Sequence, residues 1–399
     1  MCGSMPRRGC LCSCVILSLA LGLPVQAATL LVGPTRTYKT PCAAIAAASP
    51  GDIIEIDADL YEGDVCAWTT DNLTLAGVLA PDGSRPHIDA ANKNAQGKGI
   101  WVPYGANTTV ENIEFSGARV PSHNGAGIRQ SGVNLIVLNC YFHDNQEGIL
   151  ESNIPGSNIV IKYTEFARNG YKDGQSHNLY IGHAASLDFE FNYSHDAIVG
   201  HLLKSRAAVN YVLYNRLTGE NGTDSYELDL PNGGTSYVIG NLIQQGPNTQ
   251  NYAMLSYMEE GASSLNPGSD LYVVNNSFVN QYSAGVLFVQ VGSADTTPVL
   301  LQNDIFYGPG TITSQAEATF ITNFTGDPDF VDLNTYDYHL RAGSPAIDAG
   351  SQPGVANGFR LAPQYEYVHP ACGQLRHPIG IIDIGAYEYG DGGALLQCR

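Results

Sequence analysis

Basic residues are scarce in this 399-residue chain: 19 Lys and Arg stand against 38 Asp and Glu, a formal net charge of −19. A surface so acidic argues against nucleic acid or an anionic membrane as a partner. From Leu217 to Leu340 there is no Lys or Arg, while 14 Asp or Glu occur. A sustained 3.6-residue hydrophobic period is also missing, and with 44 Gly helical repeats are excluded. Long apolar runs are absent apart from VILSLALGLPV near the N-terminus, which follows Arg7 and Arg8 and ends in small residues before Ala28. That run is too short and wrongly flanked for a membrane span. It reads as a secretory leader over residues 1–27, so the expected location is extracellular or periplasmic.

Five of the nine cysteines lie beyond the leader: Cys42, Cys66, Cys140, Cys372 and Cys398. Export makes disulfides possible. Cys42 with Cys66 and Cys372 with Cys398 are the natural local pairs, and Cys140 is then left for the core. The sequence alone does not prove this pairing.

What is present is a repeat. VENIEF, LNCYF, KYTEF, EFNYS, LYNRL, VIGNLI, VNNSF and LQNDIF align. One column holds Phe115, Phe142, Phe166, Ser194, Leu217, Ile243, Phe278 and Ile305, at spacings of 27, 24, 28, 23, 26, 35 and 27. Two residues earlier stand Ile113, Cys140, Thr164, Asn192, Asn215, Asn241, Asn276 and Asn303. Units this short cannot bury their own apolar face, but stacked copies build a continuous core. Asparagine recurring at one column is expected to form a ladder that satisfies turn backbone in the coils on either side. The aromatic and aliphatic column is expected to be an internal stack.

These coils resemble the right-handed, single-stranded parallel β-helix of the pectate-lyase-like superfamily, over roughly residues 29–348. GDIIEIDADLYEGDV is similar to the opening coil of such proteins and AAIAAAS to their N-terminal capping helix. GDPDFVD, YDYHLRAGSPAIDAG and DIGAYEY are similar to the closing segment of many secreted members. The resemblance implies an all-β solenoid over residues 28–348 and a closing segment over 349–399 packed on it. The same scaffold carries lyases, epimerases, hydrolases, esterases and binding proteins, so the fold does not choose among them.

Three adjacent coils concentrate the chemistry: SHNLYIGHAASLDFEFN, GHLLKSRAAVNYVLYN and DSYELDLPNGGTSYVIGN. Lys204 and Arg206 are two apart, hence on one face of a strand. Anchored on Asn192 and Asn215, the gapless alignment puts His201 over Asn178, Lys204 over Ile181 and Arg206 over His183. Glu227 and Asp229 fall near Leu202 and Lys204. A one-residue slip would swap every side chain between faces. His177, Tyr180, His195 and Tyr226 lie nearby, and Arg129 joins them as a further cation for substrate. The bland alternative for the four charged residues is a cross-strand ion-pair ladder.

Eliminating across a uronate requires neutralising the carboxylate, removing the C5 proton and protonating the leaving oxygen. Arg206 offers a planar fork for a carboxylate. Lys204, crowded by Arg206, is expected to have a lowered pKa suited to a base, with His201 as the other candidate base. Tyr226 or Tyr180 is the proton donor. His177, Asn178, His183, His195, Glu227, Asp229 and Arg129 complete the expected substrate surface. Chondroitinase-B-like and alginate lyases on this fold use a surface Lys and Arg, and the resemblance implies such roles for Lys204 and Arg206. In those families the pair lies on successive coils; here it lies within one strand.

The expected function is therefore a secreted lyase acting on an acidic polysaccharide, as a monomer. The alternatives are a uronate C5-epimerase, since SHDA at 194–197 resembles the acid-histidine motif of that group, a glycoside hydrolase using Glu227 and Asp229, and a non-catalytic carbohydrate-binding protein. No cofactor is required by the sequence; calcium is the one it admits, on Asp224, Glu227, Asp229 and Glu260.

Overall fold

The computed structural model describes residues 1–3, 5, 27–390, 392–396 and 398. Most of the segment read as a leader lies outside them. Among the described residues three long parallel sheets run the length of the molecule. The chain visits them in a fixed rotation: sheet I of twelve strands, sheet II of eleven and sheet III of ten. One coil is thus Thr74–Val78 in sheet I, His87–Asp89 in sheet II and Gly99–Pro103 in sheet III. This is a parallel β-helix, as the repeat predicts. No helix among the described residues is long and apolar enough to cross a membrane.

The corner between sheets I and II explains the repeat. The residue preceding each ladder position has a left-handed backbone: Asn112, Asn139, Tyr163, Phe191, Tyr214, Gly240, Asn275 and Asn303. One αL residue turns the chain sharply and points the next side chain inward. Asn215 Oδ1 then accepts the Asn192 N–H at 2.8 Å, and Asn215 Nδ2 donates to the Phe189 carbonyl at 2.8 Å. Asn241 and Asn276 repeat the pattern. Buried corner backbone is satisfied in both directions. At the next coil the expected column is off by one: Asp304, not Asn303, accepts the Asn276 N–H at 2.8 Å, because Asn303 is the αL residue, and Asn323 continues the ladder by accepting the Asp304 N–H at 2.8 Å. The stack accordingly pairs Phe278 with Phe306 rather than Ile305.

Beside the ladder, Phe115, Phe142 and Phe166 stack with centroids 4.9 and 5.2 Å apart. They belong to one apolar core that runs from Leu30 to Phe306. Helix α1 (Pro41–Ala47), capped by the Thr40 hydroxyl, closes the N-terminal end by burying Ala44 and Ile45. Both expected disulfides are present, Cys42–Cys66 and Cys372–Cys398, and Cys140 is buried as a free thiol.

The coils stop at Thr325, ahead of the expected boundary at 348. Beyond it, Phe330, Tyr338, Leu340, Tyr367, Ile384 and Tyr387 pack over Tyr193, Leu242, Val279 and Ile305 on the outside of sheet II. That half of sheet II is covered. The outer face of sheet III is not buried by this segment, and it carries the Lys204 strand.

Candidate active site

On sheet III one column of side chains alternates away from the core. Register places Arg129 beside Leu150, then Tyr180, Lys204, Asp229, Ser256 and Gln290. Their strand neighbours Leu179, Ile181, Leu203, Leu228 and Leu230 fill the core. The gapless alignment was therefore one residue out. Lys204 pairs with Tyr180, not Ile181, and Ser205 pairs with Ile181, so Arg206 does not lie over His183. An inward Ile181 cannot share a column with a lysine that faces out; the connection between the two strands absorbs the extra residue.

The charged groups form a compact network. Lys204 Nζ lies 3.0 Å from Asp229 Oδ2 and 3.3 Å from Glu260 Oε1. The other oxygen of Glu260 lies 2.7 Å from Arg206 Nη1. Arg206 Nε donates to the Tyr180 hydroxyl at 2.8 Å, and Arg206 also reaches Asn232 in the PNGG turn. Glu260 sits on a turn after strand Ala253–Tyr257, with its side chain 49% exposed, whereas Lys204 and Asp229 are 10% and 4% exposed. Burial works against a charged Lys204, but Asp229 and Glu260 outweigh it and raise its pKa. The expected lowering by Arg206 is overridden because two carboxylates lie closer. Burial raises the pKa of Asp229, opposed by Lys204.

Arg129 differs from these cations. Its Nε donates to Ser152 Oγ at 3.1 Å, and among the described residues no carboxylate lies within ion-pair distance of it. Burial lowers its pKa, with Glu147 and Glu151 opposing.

His201 and His177 stack with centroids 4.4 Å apart. His177 Nδ1 accepts the backbone N–H of His201 at 3.0 Å, and His201 Nδ1 accepts that of Tyr226 at 3.2 Å. Each ring, when neutral, therefore carries its hydrogen on Nε2, and His201 Nε2 points to Asp229 Oδ2 at 3.5 Å. Burial holds both pKa values well below the ordinary histidine range, helped at His201 by Lys204 and Arg206 and at His177 by His201 and then the same two cations. His201 is placed as a hydrogen-bond donor, not as the base expected of it. His177 is buried behind the face, and its backbone N–H donates to Glu147 Oε2 at 3.0 Å. Tyr226 is 5.0 Å from His201 between ring centroids, and burial raises its pKa.

Several expected residues lie elsewhere. Asn178 is inside the coil, its amide spent on Asn169, Ser194 and the His195 carbonyl. Glu227 occupies the column of the core residue Leu202, and its side chain is fully buried. It forms a buried carboxyl pair with Asp224, whose pKa burial pushes up to about 7. His195 is on sheet II, between Asp196 and Glu165. His183 follows the Tyr180 strand, held by its backbone to Asn153 Oδ1 at 3.0 Å. The acids offered for calcium thus split. Asp224 and Glu227 pair inside the coil, while Asp229 and Glu260 neutralise Lys204 and Arg206, so they do not fit a calcium site. Residues the sequence reading missed are Ser152, Asn232 and Glu147; only Asn232 carried a signal, its place in PNGG.

A cavity of about 310 Å³ lies apart from this face, lined by Arg216, Tyr336, Tyr367 and His369. There the cation is already paired, Arg216 Nη2 lying 2.6 Å from Glu220.

The family model for a right-handed β-helix region matches residues 68–217. No curated protein matches the sequence. Among solved structures, pectate lyase Pel9A superposes with a TM-score of 0.60 at 14% identity, covering 92% of this chain and 97% of that one. A pectin methylesterase from Aspergillus niger gives 0.37 at 12% identity, over 79% and 90%. An alginate lyase of family PL6, AlyGC, gives 0.32 at 13% identity, over 91% and 58%. At such identities the likeness is one of architecture. Parallel sheets, the corner ladder, the family model over residues 68–217 and the superposition on Pel9A together show a right-handed parallel β-helix of the pectate-lyase-like fold.

Proposed function

We propose that the outer face of sheet III binds an acidic, uronate-containing polysaccharide and cleaves it by β-elimination. The observation that supports this is Glu260, a single half-exposed carboxylate bridging Lys204 and Arg206. A uronate carboxylate that displaced it would meet the same two cations, one of them a planar guanidinium suited to bidentate contact. Arg129 lies three strands along the same column, ~14 Å at the usual strand spacing, and would hold the carboxylate of another sugar.

With the carboxylate neutralised, the C5 proton becomes acidic enough to remove. Lys204 rests protonated. It becomes a base by passing a proton to Asp229, whose pKa burial already raises. The neutral amine then takes the C5 proton, the C5–H electron pair forms the C4–C5 double bond, and the C4–O bond breaks. The leaving oxygen takes a proton from Tyr180 or Tyr226, which recovers it from solvent, while Asp229 releases to solvent the proton it took from Lys204. His201 and His177, neutral and stacked, support Tyr226 and Asp229 from behind. The hydrolase alternative loses support because Glu227 does not share the face with Asp229.

The experiment is a screen of purified protein against pectate, alginate, glucuronan and glycosaminoglycans, read at the absorbance of the unsaturated product. Product from one acidic polymer and none from neutral glucans is expected. Saturable binding of an acidic polymer without product would leave a carbohydrate-binding protein and refute the lyase reading.

A further inference from the structure

We propose that the uncovered half of sheet II carries a zinc site made of His87, Glu114 and His143. The three residues stand on consecutive strands, His87–Asp89, Glu114–Ser116 and Tyr141–His143. His87 is in register with Glu114, and Ser116 with His143. Their strand neighbours Ile88, Phe115 and Phe142 are in the core, so all three side chains face out.

One ligand atom from each converges. Glu114 Oε1 lies 2.9 Å from His143 Nε2 and 3.7 Å from His87 Nδ1. One ligand atom from each of the three residues lies within 4.8 Å of the other two. Ligand atoms around tetrahedral zinc are roughly 3.3 Å apart, given bonds of about 2.0–2.1 Å. Both distances to Glu114 Oε1 lie within about 0.4 Å of that spacing.

The far nitrogens are already oriented. His143 Nδ1 lies 2.7 Å from Asp144 Oδ2, and Asp144 is held by Arg168 at 2.9 Å. The Ser116 hydroxyl donates its hydrogen to Asp89 at 2.8 Å, so it can only accept from His87 Nε2 at 2.7 Å. Hydrogen on His87 Nε2 leaves the Nδ1 lone pair facing Glu114. Carboxylate-backed imidazoles of this kind fix tautomer and ring angle in metal sites. The side chains are 14–27% exposed, which leaves a fourth position open to water. Two imidazoles and one carboxylate select zinc over calcium or magnesium. A second cluster, His195, Asp196 and Glu220, is a poorer candidate, because Glu220 Oε1 is taken by Arg216, Tyr193 and Thr218.

The test is zinc chloride titration by calorimetry of the untagged chain after chelator treatment and dialysis, with bound metal counted by mass spectrometry. One zinc per chain is expected. His87→Ala, His143→Ala and the near-isosteric Glu114→Gln should each weaken binding at least 100-fold, and Asp144→Asn by roughly tenfold. His195→Ala should bind as the wild type does. Circular dichroism melts establish that each variant is folded. Absence of saturable zinc binding in the folded wild type, undiminished binding in the His87→Ala/His143→Ala double variant, or calcium binding of equal strength at the same residues would overturn the proposal. The site lies on a different sheet from Lys204, so neither result bears on the lyase reading.

Discussion

Arg206 and Glu260 are joined across the outer face of sheet III, Nη1 to Oε2 at 2.7 Å, and the second oxygen of the same carboxylate reaches Lys204. The protein's own side chain therefore occupies the carboxylate position between the two cations. Removing that carboxylate frees both. Glu260→Gln should bind acidic oligosaccharides about tenfold more tightly, the order of one charge-assisted contact. Its thermal midpoint should hardly move, because the lost carboxylate is half exposed. Calorimetry with a uronate oligosaccharide measures the first effect; unchanged affinity would remove Glu260 as a competitor for the site.

Lys204 is more deeply set than a surface lysine, with its side chain 10% exposed against Asp229. Lys204→Ala leaves a buried carboxylate without its cation, so a melting temperature lowered by several degrees is expected along with loss of turnover. Lys204→Arg separates the two effects. Arginine keeps the charge beside Asp229 but cannot serve as a base. Wild-type binding with turnover reduced at least 100-fold is the outcome expected from paired binding and product assays, and substantial residual turnover would assign the base elsewhere.

Arg129 has no carboxylate within ion-pair distance among the described residues, and on the proposed function it meets the carboxylate of another sugar. Arg129→Ala should weaken binding of long acidic oligosaccharides more than of disaccharides, which do not span from Lys204 to Arg129. Raising salt from 0.05 to about 0.5 M should weaken the wild type on long ligands more than the variant. Equal loss on both lengths would place Arg129 outside the binding face.

Asp304 places a carboxyl in the corner ladder between the amides of Asn276 and Asn323. Burial raises its pKa to about 8. The folded state therefore holds a proton that the unfolded chain releases above its ordinary carboxylate pKa. The resulting stability loss grows as pH rises from about 4 and levels off above about 8. Asp304→Asn removes the titration. Its new Nδ2 is positioned to donate to Val273, as Asn276 Nδ2 donates to Val238 at 2.8 Å. The variant should melt a few degrees above the wild type at pH 9 and differ little at pH 5. A wild-type advantage at pH 9 would contradict the burial argument.

Much of the architecture is legible in the order of residues. Each coil repeats one αL corner, one inward ladder residue and one apolar or aromatic residue two places later. These are local demands, and they recur in sequence because each coil meets the same geometry. Asn192, Asn215, Asn241 and Phe115, Phe142, Phe166 announce the stack by their spacing alone. Local spacing likewise matched Cys42 with Cys66 and Cys372 with Cys398. The same logic fails at Asn303, because asparagine suits both the αL position and the ladder position, and only the corner geometry distinguishes them.

Which side chains face each other on sheet III was decided by the tertiary structure. The loops between ladder corners and sheet III strands differ in length, and a one-residue difference reverses inside and outside. It moved Lys204 from Ile181 to Tyr180, while Asn178 and Glu227 stand at positions turned into the coil. Arg206 and Glu260 meet through a turn two coils away, and His143 reaches the in-register pair His87 and Glu114 from the other flank of the Phe142 position. Electrostatics followed packing in the same way. Sequence proximity sets Lys204 beside Arg206 and predicts a lowered pKa. Strand pairing sets it beside Asp229 and the turn beside Glu260, and the nearer opposite charges prevail.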